Sequence, residues 1–176
     1  PPAAILNAPA FAVATPETPA DSPLTGPAAN GAPVFQIILA GGTEEAWRNG
    51  TTGLAARDIA MNVALPEVDG RILTRAVSFK GQAWFDAATE CAIVTPQPQG
   101  DRISFVADLI ARWCTLRATP PADRRVAIVL ANYPNRDGRL ANGVGLDTPA
   151  ATLHVLRLLR DAGYDTGSLP DDPQAL

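Results

Sequence analysis

The chain has 176 residues, 47% of them apolar and 18% charged, with a formal net charge of −4. That composition excludes a disordered chain and fits one domain or parts of two. It also excludes a basic nucleic-acid footprint, and no apolar run approaches the ~20 residues that a membrane helix needs.

In chain order, Ala3–Asn7 is short and apolar and predicts a buried strand. The chain starts Pro1-Pro2-Ala3-Ala4 without a basic n-region, so it is not read as a signal peptide but as the cut end of something longer. Residues 9–33 carry six prolines and predict an exposed excursion, because proline supports neither a helix interior nor a central strand. Val34-Phe-Gln-Ile-Ile-Leu39 reads as a parallel strand covered on both faces. Ala40-Gly41-Gly42 ends it, Thr43 caps a short helix with Glu44 and Glu45 in its first turn, and Asn49-Gly50 stops that helix. Trp47 would dock it.

A second helix is expected from Leu54 to Leu65, stopped by Pro66, with Glu67–Gly70 as a turn. Arg71–Phe79 alternates as a strand, and Cys91–Thr95 reads as another, ended by Pro96 and Pro98. Asp101 is expected to cap a helix running to Arg117, and Thr119-Pro120-Pro121 breaks the chain. Arg125–Ala131 predicts a further strand. The last helix is capped by Asp147 or Thr148, with Ala151, Val155, Leu158, Leu159 and Ala162 on its apolar face. Leu153 falls on the polar side and hints at an outside contact. The organisation expected is an α/β fold of doubly wound, Rossmann-like parallel sheet units. One unit spans 1–118, a linker spans 119–124, and a second, incomplete unit spans 125–176.

Between the predicted strand 125–131 and the last helix lies Asn132–Thr148, far longer than the ~2–6 residues usual for such a connection. It would sit at the carboxyl end of a strand, where α/β sheets bind ligands. Asn132, Asn135, Asn142, Arg136 and Arg139 offer amide and guanidinium donors for a carboxylate or an amide-edged ring, and Tyr133 and Asp147 flank them. Gly138, Gly143 and Gly145 would let backbone approach a flat ligand. A domain-interface clamp accounts for the same residues equally well.

Other chemistry is sparse. No phosphate-cradling G-x-x-x-x-G-K-[ST] motif is present, and Lys80 is the only lysine. No G-x-S-x-G is present, and the single histidine, His154, has no nearby nucleophile partner, which argues against a hydrolytic triad. His154 could give one bond to a metal, and Glu67, Asp69, Asp86 and Glu90 could bind a hard cation, although such groups are more often simply solvated. Cys91 and Cys114 are far apart and form no CxxC pair, so buried thiols in a reducing compartment are expected.

Asn62-Val-Ala-Leu-Pro-Glu-Val-Asp-Gly70 resembles a segment shared by the large subunit of cobaltochelatase and the H subunit of magnesium chelatase. Arg71–Lys80 and the loop Asn132-Tyr-Pro-Asn…Gly145-Leu-Asp-Thr-Pro149 look closer to the cobalt member. The resemblance runs from about Ala3 to Asp172 and implies an internal piece of a very large cytoplasmic, multidomain subunit. It implies binding of a tetrapyrrole, hydrogenobyrinic acid a,c-diamide, with Co2+ as substrate metal. ATP and Mg2+ would belong to separate AAA+ partner subunits, as the missing phosphate loop suits; no nucleic acid or membrane is implied, and the piece alone would be inactive. Carried onto this chain as hypotheses, Asn132, Arg136 and Arg139 would grip the ring edge, and Glu67 or Asp69 would accept protons or pass on metal. A scaffold that docks the AAA+ subunits, or an unrelated α/β binding module, are the competing expectations.

Overall fold

The computed structural model describes residues 1–13, 24, 29–130 and 145–176. They form two compact units, Pro1–Thr115 and Leu116–Leu176. The first unit is built on a four-stranded sheet in the order β1-β2-β3-β4 (Ile5–Asn7, Val34–Thr43, Ile72–Asp86 and Cys91–Pro98). β1, β2 and β3 run parallel, and β4 returns antiparallel to β3. The fold is α/β with a mostly parallel sheet, as expected.

Both faces of the sheet are covered, which explains why β2 is apolar on both alternating sets. On one face Phe35 packs with Val106 and Ile110 of α4 (Gly100–Ala118), with Ile72 and Val77 beside them. On the other, Ile38, Ala40, Ala76 and Phe79 meet Trp47, Leu54 and Val63. Trp47 belongs to α1 (Glu44–Asn49) and lies 5.0 Å from Phe79 between ring centroids. Thr43 caps α1 as expected, its hydroxyl accepting the Ala46 N–H at 3.2 Å. The helix ends at Gly50, whose backbone is extended and where a Cβ would stand 2.9 Å from the Ala46 carbonyl oxygen.

Several expectations are corrected. The second helical stretch does not end at Pro66. It runs as α2 (Ala56–Ile59), a π turn (Ala60–Ala64) and α3 (Leu65–Val68). In the π turn the Leu65 N–H reaches back five residues to the Ala60 carbonyl. The extra residue changes the bonding frame just before Pro66, so the missing proline N–H and the ring are accommodated. Glu67 and Val68 are therefore helical, and Gly70, at φ +69°, closes the helix with its N–H on the Glu67 carbonyl and that of Arg71 on Pro66.

β4 is not ended by its prolines. It continues through Pro96 and Pro98, opposite Lys80 and Ser78. β4 is the edge of the described sheet, and an edge strand has one side whose N–H groups make no ladder bond. Beyond Lys80, β3 pairs only with β4, so Gly81–Asp86 and Cys91–Thr95 form a two-stranded ribbon that presents Trp84, Phe85 and Val94 to solvent. α4 starts at Gly100, which puts Asp101 in its first turn and not at its cap.

The ribbon's turn carries the resolved electrostatic perturbation. Asp86 accepts the Ala88 N–H and the Thr89 hydroxyl, both at 2.9 Å, and the Ala88 bond leads in holding its carboxyl below the usual value. A depressed folded value stabilises the turn above the unfolded carboxylate value of ~3.9, and the contribution is lost as pH falls through the folded value. We expect cleavage of the 87–90 turn by an acid-tolerant protease to rise over that acid range in the wild type. In Asp86→Ala it should be high and flat with pH.

In the second unit the expected strand Arg125–Ala131 is not formed over its described residues, 125–130. Residues 125–130 carry no strand pairing, and Val129 is 91% exposed. A parallel strand needs neighbours to take its N–H and C=O groups, and the described part of this unit offers none. α5 (Thr148–Asp161) is capped by Asp147, whose carboxylate accepts the Ala150 N–H at 3.1 Å, with Pro149 in the first turn. Its inner face differs from expectation: Leu153 is buried, whereas Val155 and Leu158 are exposed. Arg124 donates to the Tyr164 hydroxyl at 2.9 Å and to the Thr119 carbonyl. Around them Val126, Ile128, Leu130, Leu156 and Leu159 line a cavity of about 410 Å³.

Candidate functional site

Two polar features of the first unit flank the segment 8–13, which passes from β1 over the π turn. The first is a buried network. Gln36 lies at the centre of an apolar strand and is almost fully buried. Its side-chain oxygen accepts from Asn7 at 2.9 Å and from the Arg71 guanidinium at 2.9 Å, and its amide donates to the Pro9 and Ile37 carbonyls. Arg71 also donates to the Pro9 carbonyl and pairs with Asp69 at 2.5 Å, both charged side chains almost wholly out of solvent. Asp69 in turn accepts the Val13 N–H. The Nε of Arg71 is buried without a partner among the described residues.

The second feature is a cleft at the carboxyl end of β2, about 570 Å³ in volume. Its floor is Gly41-Gly42 and the helix of the π turn. Asp58 accepts the Gly41 N–H with both oxygens, at 3.1 and 3.0 Å, and a Cβ on Gly41 would meet that carboxylate at 3.1 Å. Met61 and Asn62 come from the π turn, and Phe11 stands at the mouth. Phe11 adopts φ +68°, a left-handed conformation costly for a bulky residue, held by its N–H on the Met61 carbonyl at 3.0 Å. Arg57 and Lys80 complete the lining.

The residues singled out from sequence fall in different places. Glu67 is exposed on the last turn of α3, and Asp69 is the buried partner of Arg71. Asp147 is spent on capping α5, and His154 is exposed on that helix. Asn132, Tyr133, Asn135, Arg136, Arg139 and Asn142 lie outside the described residues. Among the described residues no group of three or more His, Cys, Asp or Glu side chains could hold a metal ion. The exposed Cys91 departs from the expected buried thiol, and Cys114 is half-buried.

Sequence reasoning passed over Gln36, Asn7, Arg71, Asp58 and Asn62. One signal was available: a glutamine inside Val34–Leu39 must find partners when both sheet faces are covered. The pairing of Asp58 with Gly41 had no such signal, since it joins α2 to β2 across 17 residues.

The fold and site together are those of an α/β layer with a cleft outside the carboxyl ends of parallel strands, the position where such sheets hold ligands. The family model described as CobN/Magnesium Chelatase matches residues 1–176, and the chain belongs to that family. It is 53% identical over 99% of its length to the aerobic cobaltochelatase subunit CobN of Sinorhizobium sp, and 48% identical over 96% to that of Pseudomonas aeruginosa. It spans only 14% and 13% of those two proteins. The catalytic subunit of cobaltochelatase from Mycobacterium tuberculosis superposes with a TM-score of 0.68 at 36% identity, over 82% of this chain and 12% of that one. No helix among the described residues is long and apolar enough to cross a membrane.

Proposed function

We propose that this chain is part of the tetrapyrrole-binding subunit of an ATP-dependent cobaltochelatase that inserts Co2+ into hydrogenobyrinic acid a,c-diamide. The observation that carries the reading is identity near one half, over nearly the whole chain, to two subunits named for cobalt insertion. ATP hydrolysis is assigned to separate AAA+ subunits, in keeping with a chain that has no phosphate-cradling motif. The setting is a cytoplasmic step of cobalamin synthesis.

Metal insertion requires that the ring be held, its inner N–H protons removed, and the metal presented at one face. In this reading Asn132, Arg136 and Arg139 hold the ring's peripheral carboxylates and amides, with Tyr133, Asn135, Asn142 and Asp147 shaping the same rim. Glu67, exposed and free to move a proton, suits the accepting role better than Asp69, whose oxygens already serve Arg71 and Val13. His154, on the exposed side of α5, is a candidate for passing metal inward.

The test is reconstitution of the intact subunit with its AAA+ partners, ATP, Co2+ and the a,c-diamide, followed by the corrinoid absorption spectrum. Cobalt insertion should appear, and Arg136→Ala with Arg139→Ala should weaken corrinoid binding about tenfold. Insertion of Mg2+ into protoporphyrin in place of the cobalt reaction would overturn the reading.

A further inference from the structure

We propose that the cleft at the carboxyl end of β2 binds a carboxylate arm of the ligand, with Lys80 and Arg57 as its counter-charges. The proposal deepens the substrate reading above and rests on it. Three observations meet at this cleft. It is lined by two cations, and neither Lys80 nor Arg57 makes an ion pair or side-chain hydrogen bond with the described residues. The one carboxylate in it, Asp58, takes the Gly41 N–H with both oxygens and forms an ion pair with neither cation, so the lining keeps an excess of one positive charge. The rest of the lining is apolar, from Ala10, Phe11, Leu39, Ala55 and Met61, with the amide of Asn62 making no hydrogen bond to described residues.

That set suits one chemistry. An apolar body can lie on Phe11, Leu39 and Met61 while a carboxylate at its end reaches Lys80 and Arg57, and Asn62 adds a donor beside it. The lining carries two cations against the one carboxylate of Asp58, which favours an anion over a cation, and a wholly apolar ligand would leave one ammonium and one guanidinium group without a partner. Gly42 at the floor admits a close approach, since a Cβ on it would meet nothing within 4 Å. The π turn places Met61 and Asn62 on the cleft, and Phe11 holds a strained backbone at its mouth; both devices concentrate at ligand sites.

The experiment is an absorbance titration of the intact subunit with hydrogenobyrinic acid a,c-diamide and, in parallel, with the same corrinoid after methyl esterification of its free carboxylates. Lys80→Met should weaken binding of the acid about tenfold and leave the ester unchanged. Arg57→Met should show the same selectivity, and Lys80→Arg should keep most of the wild-type affinity. Equal affinity of Lys80→Met and wild type for the acid overturns the assignment. So does an equal loss for acid and ester, because that marks a change in fold. If the wild-type subunit binds neither corrinoid, the substrate reading itself has failed, an outcome distinct from either of these.

Discussion

Arg71→Met is expected to destabilise the sheet of the first unit by about 3–5 kcal/mol, because it leaves the buried Asp69 carboxylate without its counter-charge. The two side chains pair at 2.5 Å with almost no exposure, so solvent cannot take over the lost partner. Gln36 and the Pro9 carbonyl would each lose a donor as well. Amide exchange in β2 and β3 of the intact protein should accelerate by the corresponding factor. The double variant Asp69→Leu/Arg71→Met should recover most of the loss, since a pair of apolar groups removes both charges together. A double variant as damaged as the sum of the single ones would show that the charges are not coupled, and that the network stabilises only through its neutral hydrogen bonds.

Phe35→Ala should cost about 3–5 kcal/mol, mostly as an unfilled cavity. Phe35 is fully buried between β2 and α4, against Val106 and Ile110, with the Trp113 ring edge-on at 5.9 Å. Exchange should rise along β2 and α4 together, while Phe35→Leu should cost less than about 1.5 kcal/mol. Protection in α4 that survives Phe35→Ala would show that the helix is held by its other contacts, such as Arg75 against the Phe105 ring and Arg102 on the Ala76 carbonyl.

The parts of the fold that were legible in the sequence are those decided locally. A capped start with acidic residues after it gave α1, and Asp147 before Pro149 gave α5. The apolar run Val34–Leu39 gave the central strand. What was not legible depended on partners distant in the chain. The run 125–130 has the letters of a buried strand, but strand formation needs neighbours, and the described residues of its unit supply none. Pro96 and Pro98 read as breakers until β4 is known to lie on an edge. Pro66 read as a helix stop because the π turn before it leaves no mark in side-chain type. The inner face of α5 was misread for a related reason: Leu153 is buried by tertiary surroundings that helical periodicity alone does not weigh. Of the candidate site, the loop Asn132–Thr148 was singled out by length and composition, whereas the cleft of Asp58, Asn62 and Lys80 was missed because it is assembled from three separate elements.

The single extra residue between Ala60 and Ala64 has a consequence for how this segment can change over evolutionary time. A helix turns by ~100° for each residue, so deleting one would swing Asp58 away from Gly41 by roughly that angle and drive the Pro66 ring toward an ordinary helical carbonyl. Substitutions of one small apolar letter for another leave that geometry alone. Insertions and deletions do not, so this stretch should tolerate spelling changes while holding its letter count fixed.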